Sequence, residues 1–237
     1  MEWKAFLTGD ESDLDDLSKS FCDPGLAIAK EADGFALKST RFSELDDADA
    51  IREEVERTLV LINGAARLQM GTWQGVALAR IDEDGSGSCF LHVEDSIRLT
   101  IRERSSITRI THADGRVEEF MPSPTDPRER WVQVGLRNKA VAKVLRLLHT
   151  KDEDWVNLYR VYEVIEQETG GPDAISKRGW ASKAELKLFK HTANSVSAIG
   201  DDARHGSDNI QPPPTPMTLS DARSLIRNMV RNWLEMK

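Results

Sequence analysis

The sequence predicts an α+β protein with an antiparallel sheet and a long helix in its N-terminal half and a four-helix bundle in its C-terminal half. Two patterns carry this prediction. Between residues 69 and 120, apolar and polar residues alternate and are interrupted by glycine-containing turns, which is typical of antiparallel strands. Between residues 137 and 237, apolar residues recur every three or four positions, which is typical of amphipathic helices.

The first 68 residues contain a predicted strand, a hairpin and the long helix. Trp3–Leu7 has the composition of a short strand. Asp33-Gly34 separates two strand-like stretches, and this dipeptide tolerates the positive φ angles of tight hairpin turns. Residues 46–68 carry apolar side chains at helical spacing and begin with an acidic run, which the helix dipole favours. We therefore expect a long helix there.

The predicted meander contains a row of arginines. We expect strands at residues 74–81, 89–94, 97–103, 106–111 and 116–120. In the third of these strands and at the residue directly after it, Arg98, Arg102 and Arg104 point to one face, because side chains alternate along a strand. The row is a candidate contact for RNA or an acidic partner, and the alternative is a solvated sheet face.

A proline-rich stretch at residues 121–127 predicts the domain boundary, because prolines interrupt both helices and central strands. The expected organisation is an α+β domain at 1–121, a linker at 122–136 and a helical domain at 137–237. The charge supports this division, since the net charge of −8 separates into −11 for residues 1–136 and +3 for residues 137–237.

Four helical segments are expected in the C-terminal domain. They begin near residue 137, at residue 154, after Ser182 and after Thr218. Ser182 and Glu185 form a capping-box pattern, and Gly170 is placed to end the second helix. The aromatic residues of the second helix repeat at helical spacing, so we assign them to the core.

Several classes of enzyme are excluded by missing motifs. The sequence has no phosphate-binding loop, no dinucleotide-binding fingerprint, no H-E-x-x-H motif and no G-x-S-x-G motif. Cys22 and Cys89 are the two cysteines, so no disulfide framework or zinc site is predicted. We expect no cofactor and no metal. The N-terminus lacks a signal-peptide pattern and no run of about 20 apolar residues occurs, so we expect a cytoplasmic protein with no membrane contact.

The connection between the third and fourth predicted helices concentrates ionisable side chains. Arg204 and His205 are adjacent, and His191 and Asn194 precede them. Arginine can hold a phosphate, and histidine can move a proton near neutral pH. These four residues are therefore the candidate catalytic set for RNA cleavage without a metal. Lys187 and Lys190 lie just before them and are candidate contacts for RNA or a partner.

The same connection also has a structural interpretation. Arg204 can pair with Asp201 or Asp202, and His205 can cap a helix end or bind a backbone carbonyl group. The sequence leaves both interpretations open.

The helix pattern of residues 137–237, together with Ala203-Arg204-His205-Gly206, resembles the HEPN superfamily. These are small helical bundles of bacterial toxin–antitoxin, abortive-infection and CRISPR-linked proteins. The resemblance implies either a metal-independent ribonuclease that is completed across a dimer or an inactive interaction module. In the family's ribonuclease motif several residues separate the arginine from the histidine, whereas here the two are adjacent.

Two functional hypotheses follow. The first is a cytoplasmic bacterial interaction protein, acting through a HEPN-like bundle in a defence or toxin–antitoxin system, with a protein partner or a second copy. The second is a HEPN-type ribonuclease that uses Arg204 and His205. RNA is a candidate ligand, whereas DNA is not expected for a chain of net charge −8. Binding of a small ligand by the N-terminal sheet is a third, subordinate hypothesis.

Overall fold

The computed structural model describes residues 3–70, 73–83, 108–111, 117–120, 126–149, 153–204 and 210–237. The fold is α+β, as predicted, with an N-terminal five-stranded antiparallel sheet followed by a helical region. The strands of the sheet are β1 (Trp3–Thr8), β2 (Cys22–Asp23), β3 (Leu26–Glu31), β4 (Gly34–Ser39) and β5 (Ala77–Glu83). Their order is β2-β3-β4-β1-β5, so the first strand of the chain lies inside the sheet.

The β3–β4 hairpin turns at Asp33-Gly34, as predicted. Gly34 has φ 130°, a value that favours glycine over residues with a Cβ atom. In the register of the sheet, Ala5 of β1 lies opposite Leu37 of β4 and Ile81 of β5. These three residues are fully or almost fully buried, so they face the core together.

A separate two-stranded antiparallel sheet is formed by β6 (Thr108–Thr111) and β7 (Val117–Phe120). Both strands fall where the meander was predicted. The expected strands at residues 89–94 and 97–103 lie outside the described residues, and so do Arg98, Arg102 and Arg104.

Nine α-helices occur within the described residues. They are α1 (Glu11–Ser20), α2 (Ala48–Met70), α3 (Pro127–Arg137), α4 (Lys139–His149), α5 (Trp155–Thr169), α6 (Pro172–Lys177), α7 (Lys183–Ala193), α8 (Val196–Ile199) and α9 (Leu219–Glu235). Two 3₁₀ helices, Thr40–Glu44 and Gly200–Asp202, lie between them. The long helices α4, α5, α7 and α9 occupy the four predicted segments, whereas α6 and α8 are too short for a periodic pattern to reveal.

The structure corrects the predicted linker at residues 122–136. Its described part, from Asp126 onward, is the cap and body of α3. Asp126 accepts a hydrogen bond from the Arg128 backbone N–H, and Pro127 occupies the first turn. Proline is favourable at that position, because its missing N–H would have no partner in the helix and its φ is already helical. The proline that we interpreted as a break therefore begins a helix.

A buried ionic cluster joins α3 to α1. The Arg128 side chain is 4% exposed, and its Nη2 lies 2.6 Å from Ser20 Oγ and 2.7 Å from Asp16 Oδ2. Arg128 also pairs with Asp126. Burial opposes ionisation of Asp126, but hydrogen bonds from Arg128 and Ser20 outweigh it and hold the pKa of Asp126 below its usual value.

Helix α2 belongs to both halves of the molecule. It packs on β5 and also on α3 and α4, and the buried residues of the two halves form one continuous core. At the crossing with α4, a Cβ built on Gly64 would lie 2.7 Å from the Leu145 carbonyl carbon and closer still to its oxygen. Only glycine allows the two backbones to approach this closely.

A polar anchor fixes the chain that follows α2. The Asn63 amide is buried, and its Oδ1 accepts hydrogen bonds at 2.8 Å from both Trp73 Nε1 and the Val76 backbone N–H. Its Nδ2 donates to the Val76 carbonyl oxygen at 2.8 Å. One side chain thereby satisfies three buried polar groups of the segment that leads into β5.

Candidate functional site

The connection after α7 folds back on the end of that helix. Gly200 has φ 66°, which permits the reversal after α8. Arg204 then donates its backbone N–H to the carbonyl oxygen of Ala193, the last residue of α7, at 2.9 Å. This bond places Arg204 next to the turn that carries His191 and Asn194. The structure therefore brings three of the four predicted catalytic residues to one end of α7.

The Arg204 side chain is held by α5. Its Nη2 lies 2.7 Å from Glu163 Oε1, and its guanidinium carbon lies 4.2 Å from the centre of the Tyr159 ring. Arg204 is thus ion-paired and also makes a cation–π contact. From the sequence, Asp201 and Asp202 were the expected partners of Arg204. Glu163 lies 41 positions earlier, and no local sequence signal could have identified it.

His191 holds the proline-containing segment that precedes α9. Its Nε2 lies 2.7 Å from the Gln211 carbonyl oxygen, an acceptor, so Nε2 carries the hydrogen in this bond. One turn later, Ser195 donates its hydroxyl to the Ile210 carbonyl oxygen at 3.0 Å. These two bonds fasten the segment to the end of α7.

Asn194 ends α7 as its C-cap. Its Nδ2 donates to the Lys190 carbonyl oxygen at 2.8 Å, and its buried Oδ1 has no hydrogen-bond partner among the described residues. The Lys190 ammonium lies 3.5 Å from Glu166 Oε1 and over the Tyr162 ring. Lys187 is exposed.

Tyr162 and Glu166 belong to the same cluster. The Tyr162 hydroxyl donates to Glu166 Oε1 at 2.6 Å, and burial together with this bond raises the pKa of Tyr162 far above its usual value. The rings of Tyr159 and Phe189 stack with centroids 5.8 Å apart. The core assignment of the aromatic stripe is confirmed, since Trp155, Tyr159 and Tyr162 are all buried.

His205 lies outside the described residues, so its catalytic role stays a prediction. In the described part of the connection, Arg204 and His191 are each engaged in contacts that hold the fold. Their arrangement is that of a polar joint between α5, α7 and the segment before α9.

A cleft of about 470 Å³ lies between α2 and β5. Leu59, Val76 and Ile81 supply apolar walls, and Arg52, Glu56 and His149 supply the charged or titratable groups. Burial, with the nearby charge of Arg67, lowers the pKa of His149, so its imidazole is neutral at neutral pH. The cleft is where the N-terminal sheet could accept a small ligand. The sequence did not reveal it, because its walls come from three distant segments.

No group of three or more metal-ligating side chains is found in the ranges that the structure describes. Within those ranges, no helix is both long and apolar enough to cross a bilayer.

Comparison with family models, with curated proteins and with solved structures yields no match. The HEPN resemblance therefore stays a hypothesis that rests on the helix pattern and on residues 203–206.

Proposed function

We propose that this protein is a cytoplasmic bacterial binding protein that acts through its helical C-terminal region rather than by catalysis. The observation that carries the proposal is the state of Arg204. Its guanidinium is balanced by the Glu163 carboxylate at 2.7 Å and lies over Tyr159. A phosphate that approached Arg204 would meet the Glu163 carboxylate beside it, and the repulsion between the two negative groups opposes binding.

The position of His191 supports the same proposal. Nε2 of His191 donates its hydrogen to the Gln211 carbonyl oxygen, so the His191 ring organises the chain before α9. The biological setting that we propose, bacterial defence or a toxin–antitoxin pair, comes from the HEPN resemblance.

Two measurements test the proposal together. We expect light scattering or a pulldown from the native host to find a dimer or a specific protein partner. We also expect the purified protein to leave single-stranded RNA intact in EDTA. A monomer that recovers no specific partner would contradict the proposal.

A ribonuclease is the second candidate, and one observation favours it. Arg204, His191 and Asn194 converge on the same end of α7, although Arg204 is ten or more positions away in sequence. If RNA is cleaved in EDTA, Arg204→Ala and His205→Ala should each abolish or strongly reduce cleavage. Cleavage that is unchanged in both variants would reject this assignment of catalytic residues.

A further inference from the structure

Helix α4 carries an exposed row of positive charge. Lys139, Lys143 and Arg146 follow one another at positions i, i+4 and i+7, and all three are exposed. The opposite face of the helix, with Val141, Leu145 and others, is buried. Residues 130–151 contain no Asp or Glu, so this charge has no acidic neighbour along the chain. We call these three residues the basic row.

Helix α2 carries an acidic row with the same spacing. Asp49, Glu53 and Glu56 also stand at positions i, i+4 and i+7, and all three are exposed. Their neighbour Glu54 belongs to a different face, where it pairs with Arg57. We call Asp49, Glu53 and Glu56 the acidic row. Each row extends about 10 Å along its helix, at a rise of 1.5 Å per residue.

Neither row is neutralised by the side chains that the structure describes. In the described part of the molecule, no ion pair joins a member of the basic row or of the acidic row to another side chain. Lys139 also lies in the first turn of α4, where the helix dipole favours acids. Its charge therefore does not stabilise its own helix.

The two helices place both rows on one side of the molecule. Leu145 of α4 packs on Gly64 of α2, and His149, one turn later in α4, lines the cleft with Glu56. The helices are thus antiparallel, and α4 covers the C-terminal half of α2. At about 100° per residue, Glu53 and Gly64 lie within about 20° of each other around the axis of α2. The acidic row therefore lies on the same side of α2 as α4, in the N-terminal half of α2 that α4 does not cover.

The basic row points in the same direction as the acidic row. Lys143 lies about 160° around α4 from Leu145, the residue that contacts α2. The surface consequently forms a step. Its upper level is the basic row on α4, and its lower level, about 8–10 Å below, is the acidic row on α2.

We propose that the two rows form a self-complementary interface between two copies of this chain. In this dimer, a two-fold axis perpendicular to α2 relates the two copies. The rotation places the α4 of each copy on the N-terminal half of the other copy's α2, where the acidic row lies. The helices in each contact are then parallel, and Lys139, Lys143 and Arg146 face Asp49, Glu53 and Glu56 in that order. The same contact occurs twice, as a closed symmetric dimer requires.

A second copy fits this surface better than a nucleic acid does. Phosphates drawn to the basic row would meet the acidic row beside it, on a chain whose net charge is −8. In the dimer every charge of both rows meets an opposite charge. This inference rests on the proposed binding function, which it makes specific by naming the partner.

The test is a charge swap measured by light scattering on the full-length chain. We expect the wild-type protein at 0.1 M salt to have twice its chain mass of 26.6 kDa, and its dissociation constant to rise at least tenfold in 1 M salt. The variant K139E/K143E/R146E should be monomeric, and so should D49K/E53K/E56K. An equimolar mixture of the two variants should restore the dimer, because both contacts are again complementary.

A matched control is provided by other exposed cations. The variant R160E/K177E/R178E makes the same change in net charge as K139E/K143E/R146E, and we expect it to stay dimeric. Circular dichroism of each variant verifies that it is folded. A wild-type monomer, or a dimer that both charge-reversed variants retain, overturns the inference.

Two further outcomes separate this inference from the proposed function. If the wild-type chain is a monomer but a specific protein partner is recovered, the dimer interface is rejected while the binding function stands. If the wild-type chain is a monomer that binds oligouridylate through the basic row, the row is a nucleic-acid contact and the inference is overturned. Cleavage of that RNA in EDTA would count against the binding function itself.

Discussion

Replacement of Gly64 by alanine should destabilise the protein, although helix propensity alone predicts the opposite. In a helix interior, alanine is favoured over glycine by about 1 kcal/mol. The new Cβ would, however, lie 2.7 Å from the Leu145 carbonyl carbon and closer to its oxygen. Real Cβ atoms need more than 3 Å, so α2 and α4 would have to separate by about 1 Å.

The magnitude follows from what that separation disturbs. The atoms in the way belong to the backbone of α4, so no rotation of a side chain can relieve the overlap. Overpacking costs about 1–3 kcal/mol, and the rigid backbone atoms at this crossing place the cost at the upper end, about 3 kcal/mol. After subtraction of the gain in helix propensity of about 1 kcal/mol, we expect the free energy of unfolding to fall by about 2 kcal/mol.

Urea unfolding followed by circular dichroism at 222 nm measures this change, with Gly135→Ala as the matched control. A Cβ on Gly135 would meet the Leu145 Cδ1 methyl at 3.2 Å and the Leu61 Cδ1 methyl at 3.4 Å, and these side-chain ends can yield. We expect Gly135→Ala to change stability by less than about 1 kcal/mol. A Gly64→Ala protein as stable as the wild type would refute the reasoning about the helix crossing.

Three further predictions concern polar contacts. Asn63→Ala removes the hydrogen-bond partner of three buried polar groups and should lower the free energy of unfolding by about 2–4 kcal/mol in the same urea assay. A loss below about 1 kcal/mol would contradict the role of Asn63 in fixing the chain after α2. The pKa of Asp126 is lower in the folded than in the unfolded chain, so ionised Asp126 stabilises the fold at pH values above the unfolded pKa of about 3.9. This stabilisation is lost as the pH falls through the folded pKa, and a measurement of unfolding free energy against pH should show the loss. In Asp126→Asn, the part of the pH dependence that Asp126 causes should be absent. For Arg204 and Glu163, whose side chains are 31% and 42% exposed, a double-mutant cycle should give a coupling of only about 0.5–1 kcal/mol, and no coupling would remove the structural role we assign to this pair.

Local chemistry was sufficient to predict several elements. The capping box of Ser182 and Glu185 is present, with the Ser182 hydroxyl accepting a hydrogen bond from the Glu185 backbone N–H. Gly170 ends α5 in the left-handed conformation with φ 87°. The long helix predicted at residues 46–68 is observed at Ala48–Met70. In each case the interacting residues lie within a few positions of one another, so their pattern is visible in the sequence.

The candidate site was predicted in part. The sequence drew attention to the end of α7, because several polar side chains occur together there, and their catalytic or binding role stays a prediction. It could not identify Glu163 or Tyr159 as the neighbours of Arg204, since both belong to a helix about 40 positions earlier. The acid-free stretch at residues 130–151 was a visible signal for the basic row. Its relation to the acidic row on α2 became apparent only from the packing of the two helices.

The sequence by itself determined where most of the described helices and strands form, since propensity, capping and turn chemistry act over a few residues. It also determined the charge difference between the two halves of the chain. Only the tertiary structure decided that α2 joins both halves in one core and that Arg204 is paired with Glu163. It also decided that the basic and acidic rows face the same side. These features depend on contacts between distant segments, whose geometry is set by the packing of whole helices and not by any local pattern.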